Sequence, residues 1–143
     1  MSVRTILKEK GSQVFTVAPF VTAEQAARMM RERSIAALVV IDGGNVLGLL
    51  TQRELAVGLA RFGAGLAKTK VREIMRRAFV TVPPNETSRE VMALMTINRA
   101  THIPVMDGER LVGLISIGDV LKDRMGDLEL EANVLRDVYI AAH

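Results

Sequence analysis

Two stretches of the chain carry apolar and polar positions in the same order. Residues 37–51, "ALVVIDGGNVLGLLT", hold two apolar runs separated by Asp42, Gly43 and Gly44. Residues 102–116, "HIPVMDGERLVGLIS", hold two more, separated by Asp107, Gly108 and Glu109. β-prone runs interrupted by Asp-Gly predict hairpins. Ahead of each hairpin, apolar residues recur at helical spacing: Ala26, Met29 and Met30, then Val91, Leu94 and Met95. Thr22 has Gln25 three residues later, and Thr87 has Glu90, so both helices are predicted to open on capping boxes. A short β-prone stretch, "VFTV" or "FVTV", precedes each helix and is followed by proline. A last helix is predicted after each hairpin, near 52–62 and 117–126. The methionines read as core or dimer-face packing.

The chain therefore contains itself twice. Residues 16–55 written above residues 81–120, an offset of 65, align without a gap. Thr16-Val17 falls on Thr81-Val82, Pro19 on Pro84, Met30 on Met95, and Gly48-Leu49 on Gly113-Leu114. "VRTIL" at 3–7 is echoed by "VREIM" at 71–75, with the offset now 68. Each half reads β-α-β-β-α behind a short helical segment, so the fold class is α/β (α+β-type). The expected spans are 1–62 for the first repeat, 63–70 for a Gly- and Lys-containing linker, 71–126 for the second repeat, and 127–143 for a C-terminal helix with Leu128, Leu135 and Val138 on one side. One unit of this size is marginal alone, whereas two can bury a shared apolar surface.

Composition narrows the classes. At 143 residues, 49% hydrophobic and 24% charged, the chain has ordinary globular content. No apolar run approaches the ~18–20 residues of a membrane span, and the opening stretch is too polar for a secretory signal; a cytoplasmic protein is expected. There is no cysteine, which excludes disulfides, thiolate catalysis and Cys-bound zinc. The net charge of +3 and pI near 9.7 permit an anionic partner. Basic and acidic residues nevertheless alternate, Trp is absent and Tyr139 is the single tyrosine, so nucleic acid is not expected.

The repeat also duplicates a hydroxyl and a carboxylate three residues apart: Thr51 and Glu54, then Ser116 and Asp119. Read once, such a pair is a helix cap. Its recurrence at the end of a glycine-bearing strand, after Gly48 and again after Gly113, points instead to close approach by a backbone or a ligand. Pro104 removes a ladder N–H from the neighbouring run, which predicts an edge or bulge there and a carbonyl free to meet the edge of a base.

"THIPVMDGERLVGLISIGDV", together with its duplicate, resembles the signature of cystathionine β-synthase-type domains (CBS domains), which occur in tandem as a Bateman module. The resemblance covers roughly residues 3–126. It implies two pseudo-symmetric repeats and binding of an adenosine-containing ligand (AMP, ADP, ATP, NAD(H) or S-adenosylmethionine) in clefts between them. Carried over residue by residue, Asp119 is expected on the ribose hydroxyls and Ser116 near the ribose or phosphates. Thr81 and the backbone around Thr101, His102, Ile103 and Pro104 would frame the adenine. The first-half counterparts are Thr16, Ala36, Ala37, Thr51 and Glu54. Arg53, Lys122 and Arg124 are candidates for phosphate charge.

A carboxylate can accept two charge-assisted hydrogen bonds from a ribose, and a helix N-terminus suits phosphate. Glu54 departs from the family aspartate and Val39 stands where the second half has Pro104, so the Asp119 site is expected to be the better formed. Neither a P-loop nor a Rossmann turn is present, and "GAGLAK" has the wrong spacing for one. His102 and His143 are the only imidazoles, and no H-E-x-x-H motif is present. The expected function is that of a non-catalytic sensor that pairs as a homodimer and regulates a protein partner. The alternative is a dimerisation or scaffold module with degenerate sites.

Overall fold

The computed structural model describes residues 1–142; His143 lies outside them. In chain order, helix α1 (Val3–Lys10) is followed by strand β1 (Thr16–Val17), helix α2 (Ala23–Arg33), strands β2 (Ala37–Asp42) and β3 (Asn45–Thr51), and helix α3 (Gln52–Phe62). A 3-10 segment (Gly63–Lys68) and the short helix α4 (Val71–Ile74) lead into helix α5 (Ser88–Asn98), strands β4 (His102–Asp107) and β5 (Arg110–Ser116), and helix α6 (Ile117–Ala142). This is the expected mixed α/β pair of repeats.

Both hairpins form, and for the reason read from sequence. Gly43 and Gly44 both take positive φ (58° and 81°), as a two-residue hairpin turn of right-handed twist requires, and Gly108 does so (62°) in the second. Each hairpin carries a register shift at equivalent places, Val40/Ile41 and Val105/Met106. The helices before them end on Ser34 and Arg99, which are equivalent residues and both left-handed.

The capping boxes differ. Thr22 and Gln25 satisfy each other's backbone N–H at 3.2 and 3.0 Å. Thr87 accepts from Glu90 N–H at 3.1 Å, but its own N–H donates to the Glu86 carboxylate, so the second box is half formed.

The first strand of the second repeat is reduced to one parallel bridge, Val82 with Val105, where β1 pairs with β2 over two residues. The cause is Pro104. Val39 N–H donates to the Phe15 carbonyl at 3.1 Å, and Pro104, its equivalent, has no N–H to give. The Pro104 carbonyl is not free either: it accepts from Val82 N–H at 3.1 Å.

The two repeats exchange their leading segments. Val3, Ile6 and Leu7 of α1 pack in one core with Val82, Val91, Met95, Ile103 and Ile115. Val71, Ile74 and Met75, from α4 and the residue after it, pack in the other core with Ala26, Met30, Leu38, Val40 and Leu50. Matching backbone bonds hold each exchanged segment: Val3 N–H to the Glu86 carbonyl and Val71 N–H to the Val21 carbonyl, both 2.8 Å. The apolar surface is thus buried as two cores rather than one shared one. Met30 and Met95 lie inside these cores, and Met29 and Met92 pack against them.

The exchange explains the strand glycines without a ligand. A Cβ on Gly48 would lie 2.8 Å from the Arg76 carbonyl oxygen and 2.9 Å from Met75 Sδ; one on Gly113 would lie 2.7 Å from the Leu7 methyl groups. The close neighbour is the segment from the other repeat.

Two further expectations change. The 63–70 linker is ordered as the 3-10 segment, with Leu66 against the first core. The helix predicted near 117–126 and the C-terminal helix are one helix of 26 residues, which passes through Gly126. No helix among the described residues is long and apolar enough to cross a membrane.

Gly48→Ala meets backbone and is expected to cost about 1–3 kcal/mol. Gly113→Ala meets only the flexible end of Leu7 and should cost less. Chemical denaturation of both variants checks the order; equal costs would contradict it.

Candidate ligand-binding clefts

Both hydroxyl–carboxylate pairs are helix caps. Thr51 Oγ1 donates to Glu54 Oε1 at 2.6 Å, and Thr51 N–H donates to the same oxygen at 3.0 Å. Ser116 N–H donates to Asp119 Oδ2 at 2.8 Å, and Asp119 N–H donates to Ser116 Oγ at 3.1 Å. Each pair sits where a strand runs directly into a helix, so the sequence places an acceptor at the first turn, where N–H groups lack partners. Only one oxygen of each carboxylate is used this way. Glu54 Oε2 and Asp119 Oδ1 accept no hydrogen bond from the described residues.

The two carboxylates open onto different spaces. Glu54, 9% exposed, lines a cleft of about 70 Å³ with Thr51 and Arg53 of the first repeat and Arg99, Thr101 and His102 of the second. Arg76 completes it, its guanidinium donating to the Ala78 and Asn98 carbonyls at 2.9 Å each. Three arginines and one buried glutamate therefore line the same cleft. Arg76 and Arg99 carry no sequence motif and reach the cleft through tertiary contacts.

Asp119 lines a groove of about 580 Å³ between α1 and α6, with Glu9, Lys10, Lys122, Asp123 and Asp127. Lys10 Nζ lies 2.6 Å from Asp119 Oδ2 and 2.8 Å from the Leu114 carbonyl. Lys10 went unnoticed in the sequence because it is 109 positions from Asp119. Asp123 is buried, and neither of its carboxylate oxygens has a hydrogen-bond partner.

The residues expected together are thus divided. Thr101 and His102 line the cleft with Glu54, not the groove with Asp119. Lys122 accompanies Asp119, while Arg124 pairs with Asp127 at 3.5 Å. Thr16 and Thr81 are exposed and line neither space. The Thr101 carbonyl accepts from Ile117 N–H at 2.8 Å, and the Ala36 carbonyl from Gln52 N–H at 3.3 Å. Ala37 and Pro104 are buried in strands, and Ile103 is wholly in the second core.

His102 lies in the Glu54 cleft and feels charges from both spaces. Its ring shares a 3.0 Å hydrogen bond with Thr101 Oγ1. Burial and then the Lys10 charge hold its pKa below the ordinary 6.5, against the pull of Asp119 and Glu54. Burial would raise the Asp119 carboxyl, but the hydrogen bonds from Lys10 and from Ser116 outweigh it and hold the pKa below the usual value. Among the described residues no group of three or more His, Asp or Glu side chains is placed to hold a metal.

Since folding lowers the His102 pKa, the unfolded chain binds more protons. The stability contributed by neutral His102 is complete above pH 6.5 and is lost as pH falls below it. An NMR titration should place the His102 midpoint under 6.5, and Lys10→Met should move it up. A midpoint that does not respond to Lys10 would contradict this electrostatic account.

The chain is similar in sequence and fold to known proteins. CBS domain-containing protein YhcV of Bacillus subtilis is 30% identical over 116 residues, 81% of this chain and 82% of that protein. The crystal structure of a CBS-domain-containing protein from Agrobacterium tumefaciens superposes with a TM-score of 0.84 at 39% identity, covering 87% of this chain and 99% of that one. A CBS domain pair of protein MJ0100, in complex with 5′-methylthioadenosine and S-adenosyl-L-methionine, superposes with a TM-score of 0.78 at 25% identity, covering 89% and 98%. The CBS domain family matches at residues 3–61 and again at 71–126, which leaves the distal part of α6 beyond the second match. The chain belongs to the CBS domain family and is a tandem pair of such domains.

Proposed function

We propose that the chain is a non-catalytic regulatory module that binds an adenosine-containing ligand between its repeats and passes the change in packing to a protein partner. The observation that carries this reading is the cleft at Glu54. A buried carboxylate with one uncommitted oxygen shares a cleft with Arg53 of its own repeat and with Arg76 and Arg99. The free oxygen suits ribose hydroxyls, and the guanidinium groups suit phosphates. The solved complex with 5′-methylthioadenosine and S-adenosyl-L-methionine supports the ligand class. AMP, ADP, ATP and NAD(H) belong to the same class. The cleft is smaller than the ~300–1,000 Å³ of common ligand pockets, so binding has to shift the side chains that line it. That movement is the signal. A cytoplasmic location and self-association into a homodimer belong to the same reading.

The second reading is a pairing module whose sites are degenerate. The closed cleft and the Lys10 contact on Asp119 favour it. Calorimetry separates the two. Glu54→Gln keeps an acceptor for the cap but removes the charge, and is expected to weaken adenosine-ligand binding about tenfold, or ~1.4 kcal/mol. A 2′-deoxy ligand should weaken likewise. Absence of heat with AMP, ATP, NAD and 5′-methylthioadenosine alike at millimolar concentration would leave the pairing module.

A further inference from the structure

Helix α6 is longer than its repeat requires. At 1.5 Å per residue its 26 residues span about 39 Å, and every described residue from 128 onward is exposed. Along it, Leu121, Met125, Leu128, Ala132, Leu135 and Tyr139 recur at alternating spacings of four and three. That is a 3.5-residue period, the seam of a left-handed coiled coil. All six are exposed, and the five larger ones are 47–70% accessible. The face that α6 turns to the body is a different one: Val120 is fully buried, Asp123 nearly so, and Asp127 lies against the N-terminus and Arg124. The apolar seam is directed away from the fold that carries it.

The flanking charges select the occupant. With Met125, Ala132 and Tyr139 as a positions, Arg124 and Glu131 fall at g, and Glu129 and Arg136 at e. In a parallel, in-register pair each g residue faces the e residue five positions on in the other helix. Arg124 then meets Glu129 of a second copy, and Glu131 meets Arg136, both with opposite charge. Arg136 also donates to Asn133 at 2.8 Å, and Arg124 lies 3.5 Å from Asp127; a guanidinium has five donors, enough for both contacts.

We infer that α6 pairs with α6 of a second copy as a parallel, in-register two-stranded coiled coil, which joins two modules at their C-terminal ends. This rests on the self-association included in the reading above and names its contact; it does not depend on the ligand.

The chain has no cysteine, so a single introduced thiol reports on its own symmetry mate. In the full chain, Leu135→Cys lies on the seam and Asp137→Cys lies on the outer face of the same helix. Under mild oxidation Leu135→Cys is expected to form a disulfide-linked dimer about tenfold faster than Asp137→Cys, because only the seam brings equal positions within bonding distance. Circular dichroism checks that both variants keep the helix. Equal, slow cross-linking in a chain that sediments as a dimer would overturn the seam and leave self-association standing. A wild-type chain that sediments as a monomer at micromolar concentration would overturn both.

Discussion

The exchange of leading segments is the constraint on which the remaining structure depends. Neither repeat owns its core. The second closes only when Val3, Ile6 and Leu7 arrive from the start of the chain. The first closes only when Val71, Ile74 and Met75 arrive from beyond the 3-10 segment. Burying a Val, Leu or Ile side chain contributes roughly 1.5–3 kcal/mol, so each exchanged segment supplies several kcal/mol that the repeat lacks alone. The same crossings set the clefts. Arg76 directly follows the segment that completes the first core, and Lys10 ends the helix that completes the second. Both basic residues are delivered to their spaces by the exchange, and the repeats cannot drift apart without opening a core.

In the paired carboxylates, capping leaves one oxygen of each uncommitted. A cap needs one acceptor at the first helical turn, and a carboxylate has two oxygens. Glu54 and Asp119 each spend one on the preceding hydroxyl residue. What distinguishes them is the other neighbour. Lys10 neutralises Asp119 in a wide groove, while Glu54 stays in a narrow cleft that three arginines also line. The extra methylene of Glu54, a departure from the family pattern, therefore coincides with the cleft that draws on both repeats. Weight shifts from Asp119, the better candidate by motif, to Glu54, the better one by surroundings.

Local chemistry was legible in the sequence, and long-range placement was not. The hairpins at Gly43 and Gly108, the Thr22 box and the duplicated order of elements follow from turn geometry and periodicity within about ten residues. The reduced pairing at Pro104 was legible in kind, but its carbonyl was assigned to a ligand rather than to Val82. The strand glycines signalled a close approach correctly; which backbone approaches depends on an exchange that no local pattern encodes. Lys10, Arg76 and Arg99 reach their spaces through tertiary contacts and carry no spacing signature. The boundary expected between 126 and 127 does not exist: one helix passes through Gly126, although glycine disfavours a helix by roughly 1 kcal/mol.

Hydrogen exchange on the full chain with Ile6→Ala tests the exchanged cores most directly. Ile6 is near β1 and β2 in sequence but packs with β4 and β5 in space. With exchanged cores, amides of β4, β5 and α5 lose protection while those of β2 and β3 keep theirs. Loss confined to β2 and β3 would show that each repeat completes its own core, and the delivery of Lys10 and Arg76 to their clefts by the crossing segments would be contradicted.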